Sequence, residues 1–99
     1  MGWYSVRCVF QWSAGVYEER ILLWEAGDFD EAIELAESEA REYAHGIIGG
    51  RYLGLAQSFE IGHTRPNGGD ELYSLVRTSE LDVENYVSRF FDSGGEHTQ

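Results

Sequence analysis

Two strand-like runs separated by three residues restrict the fold of this chain more than any other feature. Residues 3–12 alternate so that large apolar side chains share one face, and residues 16–26 form a second run with strand character. Residues 13–15 between them suit a short hairpin loop, in which Gly15 takes the left-handed conformation that closes such loops. The sequence therefore predicts a β-hairpin at the start of the domain.

The register of this hairpin follows from the apolar pattern. It places Val6 opposite Leu22 and Tyr4 opposite Trp24, which keeps the apolar side chains together on one face. Residues 21–24 are apolar without alternation, so we expect both faces of the second strand to be covered there. The last helix or a second copy of the chain is the candidate cover, and we expect a homodimer with two-fold symmetry.

A long amphipathic helix is predicted after the hairpin. Asp28 suits its N-cap, with Glu31 three residues later as in a capping box. The pattern ends at His45, and Gly46 is expected to be a left-handed cap. The apolar positions at helical spacing form the predicted buried stripe: Phe29, Ala32, Ile33, Ala36, Ala40 and Tyr43.

The second half of the chain predicts two more strands and one more helix. Residues 52–61 read as a strand, 62–70 as a loop with turn residues, and 72–77 as a fourth strand. Ser79 suits the cap of a last helix. The expected fold is α+β with element order ββαββα, in which one long helix packs on a four-stranded, mainly antiparallel sheet and a short helix ends the domain.

Domain organisation follows from length and from the end of the pattern. A chain of 99 residues is expected to form one domain. We assign residues 1–92 to this domain, because Ser and Gly residues interrupt the pattern beyond that point. Residues 93–99 are expected to be a flexible C-terminal tail.

The charge of the chain is strongly negative. It has 18 acidic residues against 7 basic ones, all arginine, and a formal net charge of -11 at pH 7. Eight of the 18 acidic residues lie between positions 25 and 42, so the outer face of the long helix carries a negative field. Such a field repels phosphate backbones, so nucleic-acid binding is disfavoured.

Cysteine usage and hydropathy indicate the compartment. Cys8 is the single cysteine, which excludes an intrachain disulfide and fits a reducing environment. Its place in an apolar strand pattern is typical of a small buried hydrophobic side chain. No secretory signal pattern follows Met1, and no apolar run reaches membrane-spanning length. We therefore expect a cytoplasmic protein that does not bind membranes.

No residue pattern predicts catalysis. Glu18 and Glu19 are neighbours in a strand, so their carboxylates point to opposite faces and cannot converge on one substrate. His45, His63 and His97 lack metal-ligand spacing. We therefore assign no catalytic residue, metal or cofactor, and an enzyme is the less favoured alternative.

Four short strings resemble a family of short bacterial proteins classed as a domain of unknown function. The resemblance extends over most of the chain and implies a bacterial cytosolic protein, but it supplies no site residues. The strings are Trp3-Tyr4-Ser5-Val6-Arg7, Tyr17-Glu18-Glu19-Arg20-Ile21, Asp30-Glu31-Ala32-Ile33 and Phe90-Phe91-Asp92-Ser93-Gly94.

The first functional hypothesis is a small acidic interaction protein without catalytic activity. It would neutralise or regulate a basic protein partner, in the manner of immunity proteins and antitoxins. The alternative for the same charge is that it only keeps the protein soluble. The predicted partner-binding residues on the acidic helix face are Asp30, Glu34, Glu37 and Glu42.

The second hypothesis is a small-molecule binding module. One face of the strand over residues 52–61 has almost no side-chain bulk, so a helix, a partner or a ligand must lie close to it. If a ligand lies there, aromatic side chains would form its walls. The possible ligand face comprises Trp3, Gly54, Ala56, Ser58 and Tyr73.

Overall fold

The computed structural model describes residues 1–46 and 48–90. The elements in this part of the chain are β1 (Gly2–Ser13), β2 (Val16–Ala26), α1 (Phe29–His45), β3 (Arg51–Gly62) and α2 (Val83–Phe90). The α+β class is confirmed. The predicted order ββαββα is wrong, because the order here is ββαβα and the sheet of the described residues has three strands. The predicted tail at 93–99 lies outside the described residues, and the domain bounds stay a prediction.

β1 is the central strand of the sheet. The strand order is β2-β1-β3, and β1 pairs antiparallel with both neighbours. The predicted hairpin register is confirmed, since Val6 lies opposite Leu22 and Tyr4 opposite Trp24. Gly15 closes the hairpin with a φ of 76°, the left-handed conformation that the turn requires.

The predicted start of α1 and its predicted end at His45 are confirmed, but the predicted conformation of the C-cap is wrong. Asp28 accepts a hydrogen bond from the Glu31 N–H at 2.8 Å, and the Glu31 carboxylate accepts one from the Gly27 N–H at 2.9 Å. Gly46 is not a left-handed cap, because its φ of -74° and ψ of -1° are right-handed. Its N–H donates to the Tyr43 carbonyl at 3.2 Å, so the last turn is satisfied without a left-handed residue.

Removing the N-cap side chain should cost a measurable part of the stability. We expect Asp28→Ala to lower the free energy of unfolding by about 1 kcal/mol, because the Glu31 N–H loses its acceptor. Asp28→Asn keeps a capping oxygen and should cost only a few tenths of a kcal/mol. Urea unfolding measures both. Equal losses for the two variants would contradict a role for this hydrogen bond.

The core lies between α1 and the face of the sheet that carries the even-numbered residues of β1. α1 contributes Ala32, Ala36 and Ala40, each at most 3% exposed. Ala56 of β3 packs against the same cluster. Small side chains on both elements let the helix approach the sheet closely. The buried residues of the sheet in this cluster are Tyr4, Val6, Cys8, Phe10 and Ala26.

The predicted fourth strand, residues 72–77, has no regular structure. This segment contacts the face of the sheet opposite α1 rather than pairing along an edge. Ser5, which is 2% exposed, donates its hydroxyl to the Leu72 carbonyl. The Tyr73 hydroxyl donates to the Gln57 side chain at 2.6 Å. The segment therefore packs on a sheet face and does not form a strand.

Coverage of this second face is incomplete. Ile21 and Leu23 point away from α1 and are 48% and 46% exposed. Within the described part of the chain, no Cα atom of α2 lies within 8 Å of the strands or of α1. The terminal helix therefore does not provide the cover expected for residues 21–24 in this structure.

Candidate functional site

The acidic side chains of α1 fall into two sets. Asp30, Glu34 and Glu42 are exposed, whereas Glu37 and Glu39 are half-buried. Because each step of four residues turns about 40° beyond one full turn, the exposed three form an inclined stripe about 18 Å long across the outer surface of the helix. Of the four predicted partner-binding residues, three lie on this outward stripe, and Glu37 does not.

Glu37 connects the helix to β3. The Tyr52 hydroxyl donates to Oε2 of Glu37 at 2.6 Å, and the Tyr52 ring lies 5.5 Å from that of Phe10. Burial raises the pKa of Tyr52, and the hydrogen bond to Glu37 raises it further. Both groups are therefore part of the packing between α1 and the sheet, so Glu37 has a structural partner that the sequence analysis missed.

Glu39 connects the helix to β2. Arg20 donates from Nη1 to both oxygens of Glu39 at 2.8 and 3.1 Å. The Arg20 guanidinium also lies 3.5 Å from the centroid of the Tyr43 ring, an arrangement that stabilises a cation. The Tyr43 hydroxyl in turn donates to Glu18 at 2.8 Å. This cluster connects α1 to β2 and pairs the Glu39 carboxylate with the Arg20 guanidinium.

No arrangement typical of catalysis is found at these carboxylates. Glu18 faces α1, whereas Glu19 lies on the opposite face beside Arg7, with 3.4 Å between the charged atoms. Burial raises the pKa of Cys8, which disfavours a reactive thiolate. Among residues 1–46 and 48–90, no group of three His, Cys, Asp or Glu side chains is placed to hold a metal ion. In the same residues, no helix has the length and apolar character needed to cross a bilayer.

The five residues of the predicted ligand face do not share a surface. Ala56 and Ser58 lie on the α1 side of the sheet. Trp3 is on the other side, as is the ring of Tyr73. Gly54 is exposed, with a φ of 76°, at an irregularity in the pairing of β3 with β1. The space above Ala56 is occupied by α1 and not by a ligand.

Three tyrosines with raised pKa values should make the stability of the fold depend on pH in the alkaline range. Burial raises the pKa of Tyr4, Tyr43 and Tyr52, and a hydrogen-bonded carboxylate raises each further. Their contribution to the free energy of unfolding is complete below about pH 10, which is the pKa of an unfolded tyrosine. It is lost as the pH rises through the higher pKa of each tyrosine in the folded state. We therefore expect the free energy of unfolding to fall above about pH 10, because the folded state then holds more protons.

This dependence is measured by urea unfolding between about pH 8 and 11, with phenolate absorbance recorded in parallel. Tyr52→Phe should reduce the steepness of the alkaline decline, since it removes one of the three retained protons. A free energy of unfolding that stays constant over this range would contradict the assignment.

Comparison with known proteins adds no relative from which the site could be interpreted. No known protein family matches the chain, and neither a curated protein nor a solved structure shows significant similarity to it. The resemblance to short bacterial proteins of unknown function therefore stays a prediction, and the functional interpretation depends on the geometry of the chain itself.

Proposed function

We propose that this protein is a small non-catalytic bacterial interaction protein that binds a basic protein partner in the cytoplasm through the outward face of α1. One observation carries the proposal. Asp30, Glu34 and Glu42 are exposed, and their side chains form no hydrogen bond or ion pair among the described residues. By contrast, Glu37 and Glu39 on the same helix each bind a side chain of the sheet. The outward stripe is therefore charge that the fold itself does not use.

Physical reasons connect this stripe with a basic partner. Asp30 and Glu34 are four residues apart, and like charges at that spacing slightly destabilise a helix. A positively charged surface would relieve this repulsion. It would also be attracted over a distance by the field of a chain with net charge -11. Binding of this kind suits the neutralisation or regulation of a basic protein.

Two variants with the same change in net charge distinguish partner binding from the alternative, in which the charge serves solubility alone. Each replaces three acids by amides. The helix-face variant combines Asp30→Asn, Glu34→Gln and Glu42→Gln. The control variant combines Glu71→Gln, Glu80→Gln and Glu84→Gln, which are exposed positions outside α1. Glu37 is left unchanged because it accepts the Tyr52 hydrogen bond.

Affinity capture from the native host, quantified by mass spectrometry, compares the two variants with the wild type. We expect a basic protein to be captured by the wild type and by the control variant but not by the helix-face variant. Both variants should unfold within about 0.5 kcal/mol of the wild type, since all six positions are exposed. Capture of the same proteins by all three chains would contradict the proposal.

We also propose that the second face of the sheet forms a homodimer interface. Ile21 and Leu23 are about half exposed there, and Leu72 and Leu75 of the neighbouring segment are 50% and 44% exposed. Apolar surface of this kind is what a symmetric pairing of two sheets would bury.

The mass of the protein in solution tests the proposed homodimer. We expect the wild type to have a dimer mass by light scattering at micromolar concentration, and Leu23→Lys to have a monomer mass. Val83→Lys introduces the same charge at an 82% exposed position of α2 and should leave the dimer intact. A monomer mass for the wild type across this range would remove the proposal.

A further inference from the structure

The loop after β3 contains the single Asn-Gly pair of the chain, formed by Asn67 and Gly68. Asparagine is a chemically labile residue, because the backbone nitrogen of the next residue can attack the carbon of its side-chain amide. A side chain on that next residue restricts the backbone and hinders this approach, whereas glycine does neither. The pair therefore has the composition of a site of spontaneous modification.

Neither reacting group of this pair is held by the fold. Asn67 and Gly68 are both exposed to solvent. Among residues 1–46 and 48–90, the side-chain amide of Asn67 forms no hydrogen bond and the Gly68 N–H donates none. Apart from its chain neighbours, no atom lies within 4 Å of where a Cβ of Gly68 would stand. The side-chain amide and the nitrogen that attacks it are therefore free to approach each other.

The hydrogen bonds of this turn lie at its ends and not at its centre. The Asp70 N–H donates to the Asn67 carbonyl at 3.1 Å, and the Asn67 N–H donates to Oδ2 of Asp70 at 2.8 Å. Gly69 has a φ of 91°, a conformation that favours glycine at the centre of a turn. The two bonds use the main-chain groups of Asn67 and leave its side chain and the Gly68 nitrogen unused.

The second asparagine of the chain is an internal control. Asn85 lies in α2 and is exposed like Asn67. It is followed by Tyr86, whose N–H donates to the Asp82 carbonyl at 2.9 Å. A nitrogen that is held in a helical hydrogen bond and carries a bulky residue is poorly placed to attack the side chain before it. The chain thus contains one free and one protected asparagine.

We propose that Asn67 is a site of spontaneous modification, in which the Gly68 nitrogen attacks Cγ of Asn67. A C–N bond forms, and the side-chain nitrogen leaves as ammonia together with the proton of the Gly68 N–H. Water then opens the resulting succinimide ring. Breakage of the bond between nitrogen and Cγ gives aspartate, and breakage of the bond between nitrogen and the main-chain carbonyl carbon gives isoaspartate. Water is the only co-reactant.

The products change both the charge and the backbone of the loop. Each adds one negative charge to a chain of net charge -11. In isoaspartate, the Asn67 carbonyl becomes a free carboxylate, so the turn loses the carbonyl that accepts the Asp70 N–H. The new carboxylate also arises in a turn that already contains that of Asp70, and like charges repel. The site shares no residue with the outward stripe or with the proposed homodimer interface, so it stands or fails independently of both.

Peptide mapping of the aged full chain measures the reaction. Trypsin cleaves after arginine except before proline, so Asn67 and Asn85 lie in separate peptides, residues 52–77 and 78–89. Mass spectrometry with electron-transfer fragmentation distinguishes aspartate from isoaspartate, and freshly purified protein digested in the same way gives the background. Samples are aged at about pH 7 and 9, below the range in which tyrosine ionises.

We expect Asn67 to be converted at least about tenfold faster than Asn85, because the loop needs no opening of a helix before reaction. Conversion should be faster at the higher pH, since the attacking nitrogen must lose its proton. Both isoaspartate and aspartate should form, because both arise from one succinimide. Direct hydrolysis of the side-chain amide by water would give aspartate alone.

Gly68→Ala tests the role of the attacking residue. An alanine fits there, because Gly68 lies outside the left-handed region and its Cβ would meet open space. We expect conversion of Asn67 to slow at least about tenfold. Ser74→Ala changes an exposed position of the same peptide and should leave the rate unchanged. Equal rates at Asn67 and Asn85 in the wild type, an unchanged rate in Gly68→Ala, or aspartate without isoaspartate would overturn the proposal.

Discussion

Replacing Phe10 by alanine is expected to lower the free energy of unfolding by about 3–5 kcal/mol. Phe10 is 3% exposed, and its ring lies 5.2 Å from that of Tyr43 and 5.5 Å from that of Tyr52. It therefore packs where α1, β1 and β3 meet, and a cavity there removes contacts with all three elements. Domains of this size have about 5–15 kcal/mol of total stability, so the variant should be close to unfolding.

Urea unfolding followed by tryptophan fluorescence measures this loss. The matched control is Tyr17→Ala, which also truncates an aromatic side chain of the hairpin but at a position that is 59% exposed. It should change the free energy of unfolding by less than about 0.5 kcal/mol. A loss below about 1 kcal/mol for Phe10→Ala would contradict the position of the core between α1 and the sheet.

The second large effect is expected for Ala36→Leu. Ala36 is buried in the middle of the helix face that packs on the sheet. The cavity beside Ala36 has a volume of only about 10 Å³, which is too small for three added carbon atoms. The helix or its neighbours must therefore move, at a cost of about 1–3 kcal/mol. Leucine is a good helix former, so the cost comes from packing and not from helix propensity.

Ser38→Leu introduces the same side chain on the exposed face of the same helix and serves as the control. We expect its effect to stay within about 0.5 kcal/mol. Thermal unfolding measures the stability of both variants relative to the wild type. Equal stability of the two variants would mean that the alanine face of α1 is not in close contact with the sheet.

The elements that local patterns specify were predictable from the sequence. Alternation together with Gly15 in the loop determines the hairpin, because a slip of one residue would move every apolar side chain to the wrong face. The start of α1 was predictable from Asp28 and Glu31, since both hydrogen bonds join groups within four residues. In each case, the residues whose interaction determines the structure are close together in the sequence.

Interactions between distant residues explain what the sequence analysis missed. Residues 72–77 have the apolar content of a strand, but apolar content does not distinguish a strand paired at a sheet edge from an irregular segment that packs on a sheet face. Glu37 and Glu39 flank the buried positions Ala36 and Ala40, so a helical projection places them at the border of the acidic face. That border position was the signal that these two acids could reach the sheet.

The central claim is that the outward stripe of Asp30, Glu34 and Glu42 directs association with a basic partner. The most direct measurement is the association rate constant of the captured partner with the wild type, the helix-face variant and the control variant, at about 50 and 300 mM salt. At low salt we expect the helix-face variant to associate about tenfold more slowly than the other two, with a smaller difference at high salt. Association rate constants that are equal for all three chains at both salt concentrations would contradict the claim and leave solubility as the role of the acidic face.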